Sequence, residues 1–104
     1  MNKSECLSSD WQAIGHKDGS NGRDATYSDK HNQACAEFGI KLDAAEYKTG
    51  YKAGLAQFCT AEKGYWLGET GQEYKDVCPS ELADAYLRGY EKGHYLYRVL
   101  QDID

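Results

Sequence analysis

Two octapeptides, YKTGYKAG at 47–54 and YLRGYEKG at 86–93, place Gly at every fourth position beside Tyr inside stretches of helical period. Gly in a helix interior costs about 1 kcal/mol relative to Ala, so these positions call for a reason to lack a side chain. Gly50 and Gly54 fall on the edge of the apolar stripe formed by Ala44, Tyr47, Tyr51, Leu55 and Phe58. Gly89 and Gly93 share the face of Leu82, Tyr86, Tyr90, Tyr97 and Leu100. The simplest cause is close approach of helix backbones, with Tyr rings filling the notches left by the missing Cβ atoms. The shared register suggests equivalent helices that pack on each other or around one centre. The alternative is a Tyr-lined groove that accepts a ligand.

The remaining chain supplies two more helix candidates and a segment of another kind. In SSDWQAIGHKDG, Ser9 with Gln12 has the form of a capping box, and the breakers in DGSNG predict an end near Lys17 or Asp18. In TYSDKHNQACAEFG, residues Tyr27, His31, Ala34, Cys35 and Phe38 share a face, with Gly39 placed as a left-handed cap. Asp43 with Glu46 opens the third helix, and the last starts after Pro79-Ser80 and runs to about Leu100. Between them, residues 60–79 carry Gly64, Gly68 and Gly71 without clear period and read as a compact Gly-rich, aromatic loop with room for a short hairpin or helical turn. The expectation is a mainly α domain of three to four helices spanning 1–104, with residues 1–5 a disordered stub.

A chain of 104 residues is long enough to fold as one domain but short enough to gain from covalent staples. Cys6, Cys35, Cys59 and Cys78 include no Cys-x-x-Cys pair, and the three His do not cluster with them, which speaks against a zinc site. Two disulfides in an oxidising compartment are expected. Four Cys allow three pairings; Cys6–Cys35 with Cys59–Cys78 is preferred because each closes a local segment, contributing about 3–4 kcal/mol apiece. On that reading the first Met is an added initiator and a native export signal has been trimmed. The net charge of −5 argues against nucleic acid and anionic membrane surfaces. No apolar run is long enough to span a bilayer.

No catalytic fingerprint appears, and no cofactor or metal is called for. Glu62, Glu69, Glu73 and Asp76 read as solvated acids more readily than as glycosidase carboxylates. Asp18 and His31, with His16 nearby in sequence, are candidates for a structural polar site between the first two helices, and Asp18 is expected to cap a turn. Tyr65, Trp66 and Tyr74, lying between the last two Cys, are candidates for a recognition surface on a stapled loop; the alternative is that they form the loop's own core.

The strings ECLSSDW, IGHKDGSNG, HNQACAEFGI, YKTGYKAGLAQFCT, GYWLGETGQEYKDVCP and YLRGYEKG together resemble domain-of-unknown-function family 2799, bacterial envelope lipoproteins, from about Cys6 to about Gly93. The resemblance implies an exported protein of the periplasm and outer membrane, tied to the membrane through an N-terminal lipid on a Cys that this chain does not contain. It brings no established activity. The expected role is a non-enzymatic, protein-binding or structural module with an unknown envelope protein as partner. Two alternatives stand beside it: an inhibitor or immunity protein against an exported hydrolase or toxin, and a binder of cell-wall glycan.

Overall fold

The computed structural model describes residues 2–103, which are mainly helical: α1 (Lys3–Ser8), α2 (Trp11–Ser20), a 3₁₀ turn (Ala25–Tyr27), α3 (Ser28–Ala36), α4 (Ala44–Phe58), α5 (Ala61–Glu69) and α6 (Ser80–Gln101). The described residues contain no strand. The chain divides into two compact units, one ending at Gln57 and the other beginning at Phe58.

In the first unit α2 and α4 are clamped together through glycine. A Cβ built on Gly15 would stand 2.1 Å from the Tyr47 carbonyl oxygen, and one on Gly19 would stand 2.2 Å from that of Tyr51. From the other side, Cβ atoms built on Gly50 and Gly54 would stand 1.8 and 2.2 Å from the carbonyl oxygens of Gln12 and His16. Residue numbers rise together along both helices, so the pair is parallel. No side chain fits, and the hydrogens at those places are aimed at carbonyl oxygens, the arrangement of weak Cα–H···O contacts.

The second unit repeats this arrangement. Cβ atoms built on Gly64 and Gly68 of α5 would stand 2.2 and 2.3 Å from the carbonyl oxygens of Tyr86 and Tyr90, while those built on Gly89 and Gly93 of α6 would stand 2.1 Å from those of Ala61 and Tyr65. Each octapeptide therefore packs on a partner helix of its own unit, on α2 in one case and α5 in the other.

The ends of α2 and α5 match as well. Gly22 and Gly71 take φ of 70° and 74°, the left-handed cap that favours Gly. Arg23 N–H then donates to the Asp18 carbonyl at 2.9 Å, as Gln72 N–H does to that of Leu67 at 3.0 Å. On this frame the Tyr51 hydroxyl donates to the Arg23 carbonyl at 2.6 Å, and the Tyr90 hydroxyl to that of Gln72 at 2.7 Å. Tyr47, Gly50, Tyr51 and Gly54 thus correspond to Tyr86, Gly89, Tyr90 and Gly93 in contact as well as in sequence.

Because the paired helices are parallel, the chain must travel back between them. In the first unit the return contains α3, and Cys35 on α3 is bonded to Cys6 on α1. In the second it is the irregular stretch 70–79, and Cys59 and Cys78, standing just before α5 and α6, are bonded with their Cα atoms 5.7 Å apart.

Four expectations are corrected. Residues 60–79 are not a loop throughout, since α5 occupies Ala61–Glu69, capped by the Thr60 hydroxyl accepting from Lys63 N–H. The stub at 1–5 enters α1 at Lys3, where the Asn2 side chain accepts from Glu5 N–H; residue 1 lies outside the described residues. Asp10, not Ser9, caps α2 by accepting from Ala13 N–H. The helix continues to Ser20 because Gly19 is a packing residue inside it and not a breaker. The helix count exceeds three to four for these reasons.

Replacing Gly50 or Gly89 by Ala is expected to destabilise the protein by about 1–3 kcal/mol through overpacking against backbone. At Gly39 a Cβ would meet nothing, so Gly39→Ala is burdened only by its left-handed φ of +70°. Urea melts of the three variants test this: an unchanged midpoint for Gly50→Ala would remove the glycine contacts from the explanation of the fold.

Candidate functional site

Two places carry chemistry beyond packing. The first is a carboxylate inside the first unit. Asp18 on α2 is 6% exposed; its Oδ2 accepts from the Tyr47 hydroxyl of α4 at 2.6 Å and lies 2.8 Å from His31 Nε2 of α3. Asp18 therefore caps no turn with its side chain. It ties three helices at one atom, with Tyr47 completing the pair foreseen from sequence. The His31 ring is surrounded by Trp11, Tyr27 and Tyr47, at centroid distances of 6.4, 5.4 and 6.0 Å. Tyr27 in turn lies under the cations of Arg23 and Lys30. Burial, and then the Asp18 carboxylate on its hydroxyl, push Tyr47 well above the ordinary phenol value, so Tyr47 stays a donor.

The second unit has Leu67 where the first has Asp18, and Tyr86 where it has Tyr47. Tyr86 is fully buried between Phe58 and Tyr74. Its hydroxyl has no hydrogen-bond partner of good geometry, although the nearby Lys75 backbone opposes the effect of burial, which pushes Tyr86 up to about 12. The same position is polar and braced in one unit, apolar and unbraced in the other.

The second place is a groove of ≈ 470 Å³ between α5 and α6. Its small lining residues are Ala61, Ala85 and Gly89, the last of which packs directly on Ala61. From α5 it is also lined by Glu62, Tyr65, Trp66 and Glu69, and from α6 by Arg88 and Lys92. A further hollow of ≈ 550 Å³ shares Tyr65, Arg88 and Lys92 and runs on to Glu91, Tyr95 and Leu96. Trp66 is 49% exposed, with the Lys63 ammonium 5.5 Å from its ring. Among the described residues neither Arg88 nor Lys92 forms an ion pair.

Of the three aromatics singled out from sequence, Tyr65 and Trp66 meet in this groove and Tyr74 does not. Tyr74 packs on Tyr86 and Tyr90 at 5.6 and 5.2 Å, half-buried in the return segment. Arg88 and Lys92 were missed because a cation pair on an exposed helix face looks like ordinary solvation. Their placement one turn apart, flanking Gly89, is the sequence signal that could have found them. Among the described residues no three His, Cys, Asp or Glu gather as a metal site, and no helix is long and apolar enough to cross a membrane.

Residues 10–95 match the family model described as Protein of unknown function (DUF2799). The chain belongs to that family. The DUF2799 match spans both units and therefore both glycine-paired helix motifs. No curated protein and no solved structure matches the chain.

Tyr47→Phe is expected to cost about 1–3 kcal/mol, since it strips a donor from a buried carboxylate, while Tyr86→Phe removes an unsatisfied hydroxyl and is neutral or stabilising. Both phenols hold their protons more tightly folded than unfolded. Their contribution is thus complete below pH 10.0 and is lost as pH rises, for Tyr86 between 10.0 and about 12. Melts across that range are expected to show alkaline destabilisation in the parent and a shallower fall in Tyr86→Phe; equal slopes would contradict the assignment.

Proposed function

We propose that this DUF2799 protein is a non-enzymatic module of the cell envelope, facing the periplasm as part of a lipoprotein, that binds another protein through the α5/α6 groove. Its two disulfides mark an extracytoplasmic protein. The observation that carries the binding reading is the comparison between the two units. Tyr65, Trp66, Arg88 and Lys92 correspond to His16, Lys17, Thr49 and Ala53 around the same glycine contacts. The helix pair of the first unit closes with no Tyr, Trp or Arg in that constellation and with its one Lys at the place of Trp66, so packing does not demand the aromatic and cationic pairs of the second. An exposed Trp and a half-buried Tyr beside Arg, in a groove also lined by Ala61, Ala85 and Gly89, are the residue types that anchor protein interfaces. Arg88 and Lys92, in no ion pair among the described residues, offer an acidic partner segment two cations, with Glu62 and Glu69 in the same lining to set its register.

A glycan reading draws on the same exposed Trp66. The two are separated by a pull-down from envelope extract with the oxidised protein as bait and a Trp66→Ala/Lys92→Ala variant of unchanged melting temperature as control, alongside Trp66 fluorescence. One protein captured by the parent and lost in the variant is expected. Quenching by muropeptides without any captured protein would replace the protein partner by glycan, and neither signal would overturn the groove as a binding site.

A further inference from the structure

We infer that the Cys59–Cys78 bridge is a thiol–disulfide exchange site, opened by a dithiol at Cys78 and reclosed on a helix pair that stays folded, while Cys6–Cys35 is a permanent staple. The two bridges span the same distance, with Cα atoms 5.7 Å apart in each, so span does not separate them. Their surroundings do. Cys6 and Cys35 lie inside α1 and α3 and are 2% and 0% exposed. Cys59 is as buried as Cys6. Cys78 alone of the four is half-buried, at the end of the irregular return and just past the exposed Lys75 and Asp76. Exchange begins when a thiolate strikes one sulfur of the bridge, so its rate follows access to that sulfur. Of the four cysteines, Cys78 offers that access.

The helix ends act in the same direction. Cys78 stands one residue ahead of Pro79, the cap residue of α6, and no side chain caps that helix. The positive end of a helix favours both an approaching thiolate and a thiolate left behind. Glu81 in the first turn of α6 opposes this effect, while Lys75 and Asp76 of the return bring one charge of each sign. Cys59 lies between the end of α4 and the start of α5, where opposite dipole ends offset each other. Cys35 is in the last turn of α3, the negative end, which disfavours a thiolate there.

In the first step the dithiol's thiolate bonds to Cys78 Sγ, the S–S bond breaks, and its electron pair leaves on Cys59 Sγ. The dithiol's second thiolate then attacks its own sulfur in that mixed disulfide and expels Cys78 Sγ. The dithiol is oxidised to its disulfide, two electrons pass to the protein, and the two protons it gives up leave both cysteines as thiols. Opening the bridge does not free the helices. Gly89 remains packed on the Ala61 backbone, two residues from Cys59. The Tyr90 hydroxyl still holds the Gln72 carbonyl, and Tyr74 stays on Tyr86 and Tyr90. The two thiols are thereby kept near each other for reclosure.

The test exposes the full, oxidised chain to dithiothreitol without denaturant, followed by acid quenching, alkylation and mass mapping. Thiols are expected at Cys59 and Cys78 about tenfold faster than at Cys6 and Cys35, with helicity unchanged and the bridge restored by oxidised dithiothreitol. With glutathione, a monothiol, the trapped mixed disulfide is expected on Cys78. Glu81→Gln, at an exposed position, speeds opening about two- to threefold by removing an anion from the helix end. Both bridges opening together, Cys6–Cys35 opening first, or neither opening before the protein unfolds would overturn the site. An adduct on Cys59 would overturn the point of attack, loss of helicity the folded frame, and an unchanged rate in Glu81→Gln the role of the helix end. Because only this chain and a thiol are present, each result is independent of whether the α5/α6 groove binds a partner protein.

Discussion

The contact on which each unit depends is that between two parallel helix backbones at four glycines. Parallel neighbours align their dipoles unfavourably, and the missing Cβ atoms remove apolar area that would otherwise be buried. What offsets this is proximity: carbonyl oxygens of one helix face Cα–H groups of the other, and Tyr and Leu side chains on either side close over the seam. Such a contact is intolerant by nature. A helix pair packed through large side chains can shift by a fraction of an ångström to accept a change, whereas backbone against backbone leaves nothing to repack.

A parallel pair imposes a second constraint, because the chain must return to the start of the first helix before beginning the second. The two units solve it differently. The second uses a short irregular segment whose ends are held by Cys59–Cys78 at the starts of both helices. The first spends more residues, folds a helix into the return, and bonds that helix to α1 through Cys6–Cys35. In both, a tyrosine of the later helix reaches the carbonyl just past the left-handed Gly that ends the earlier one. Phe would fill the same space but leave that carbonyl without its donor. The Tyr-Gly pattern therefore couples two tasks, ring packing beside the notch and anchoring of the return.

Much of this was legible in the sequence, and the failures share a cause. The helices α4 and α6 announce themselves because their apolar stripes have helical period, and Gly39 and Asp43 mark boundaries by local chemistry that needs no tertiary context. Helix α5 was hidden because its Gly64 and Gly68 serve a neighbour and not its own amphipathicity, so a single-helix reading takes them for breakers. The same misreading shortened α2 at Gly19. The signal was present in a form that periodicity does not measure: Gly15, Gly19 and Gly22 have the spacing of Gly64, Gly68 and Gly71. Asp18 was grouped with His31 from sequence, but its third member, Tyr47, lies on α4, which nothing local connects to it. Tyr74 lay beside Tyr65 and Trp66 in a segment read as one loop, yet α5 ends between them, and the return carries Tyr74 onto the tyrosines of α6.

Duplication of one motif within one chain also supplies its own control for what the fold requires. Positions alike in both units, the glycines and the two tyrosines of each octapeptide, belong to the architecture. Positions that differ are free of it and can carry other work. Asp18 against Leu67 is one such difference, and it accompanies the extra helix: a buried carboxylate is sustainable only where α3 brings His31 and α4 brings the Tyr47 hydroxyl to satisfy it. The aromatic and cationic walls of the α5/α6 groove are the other, with no compensating contact inside the unit to account for Arg88 or Lys92. An internal brace explains the first departure completely. The second has no such internal account, and that asymmetry is what the proposed binding groove of the second unit rests on.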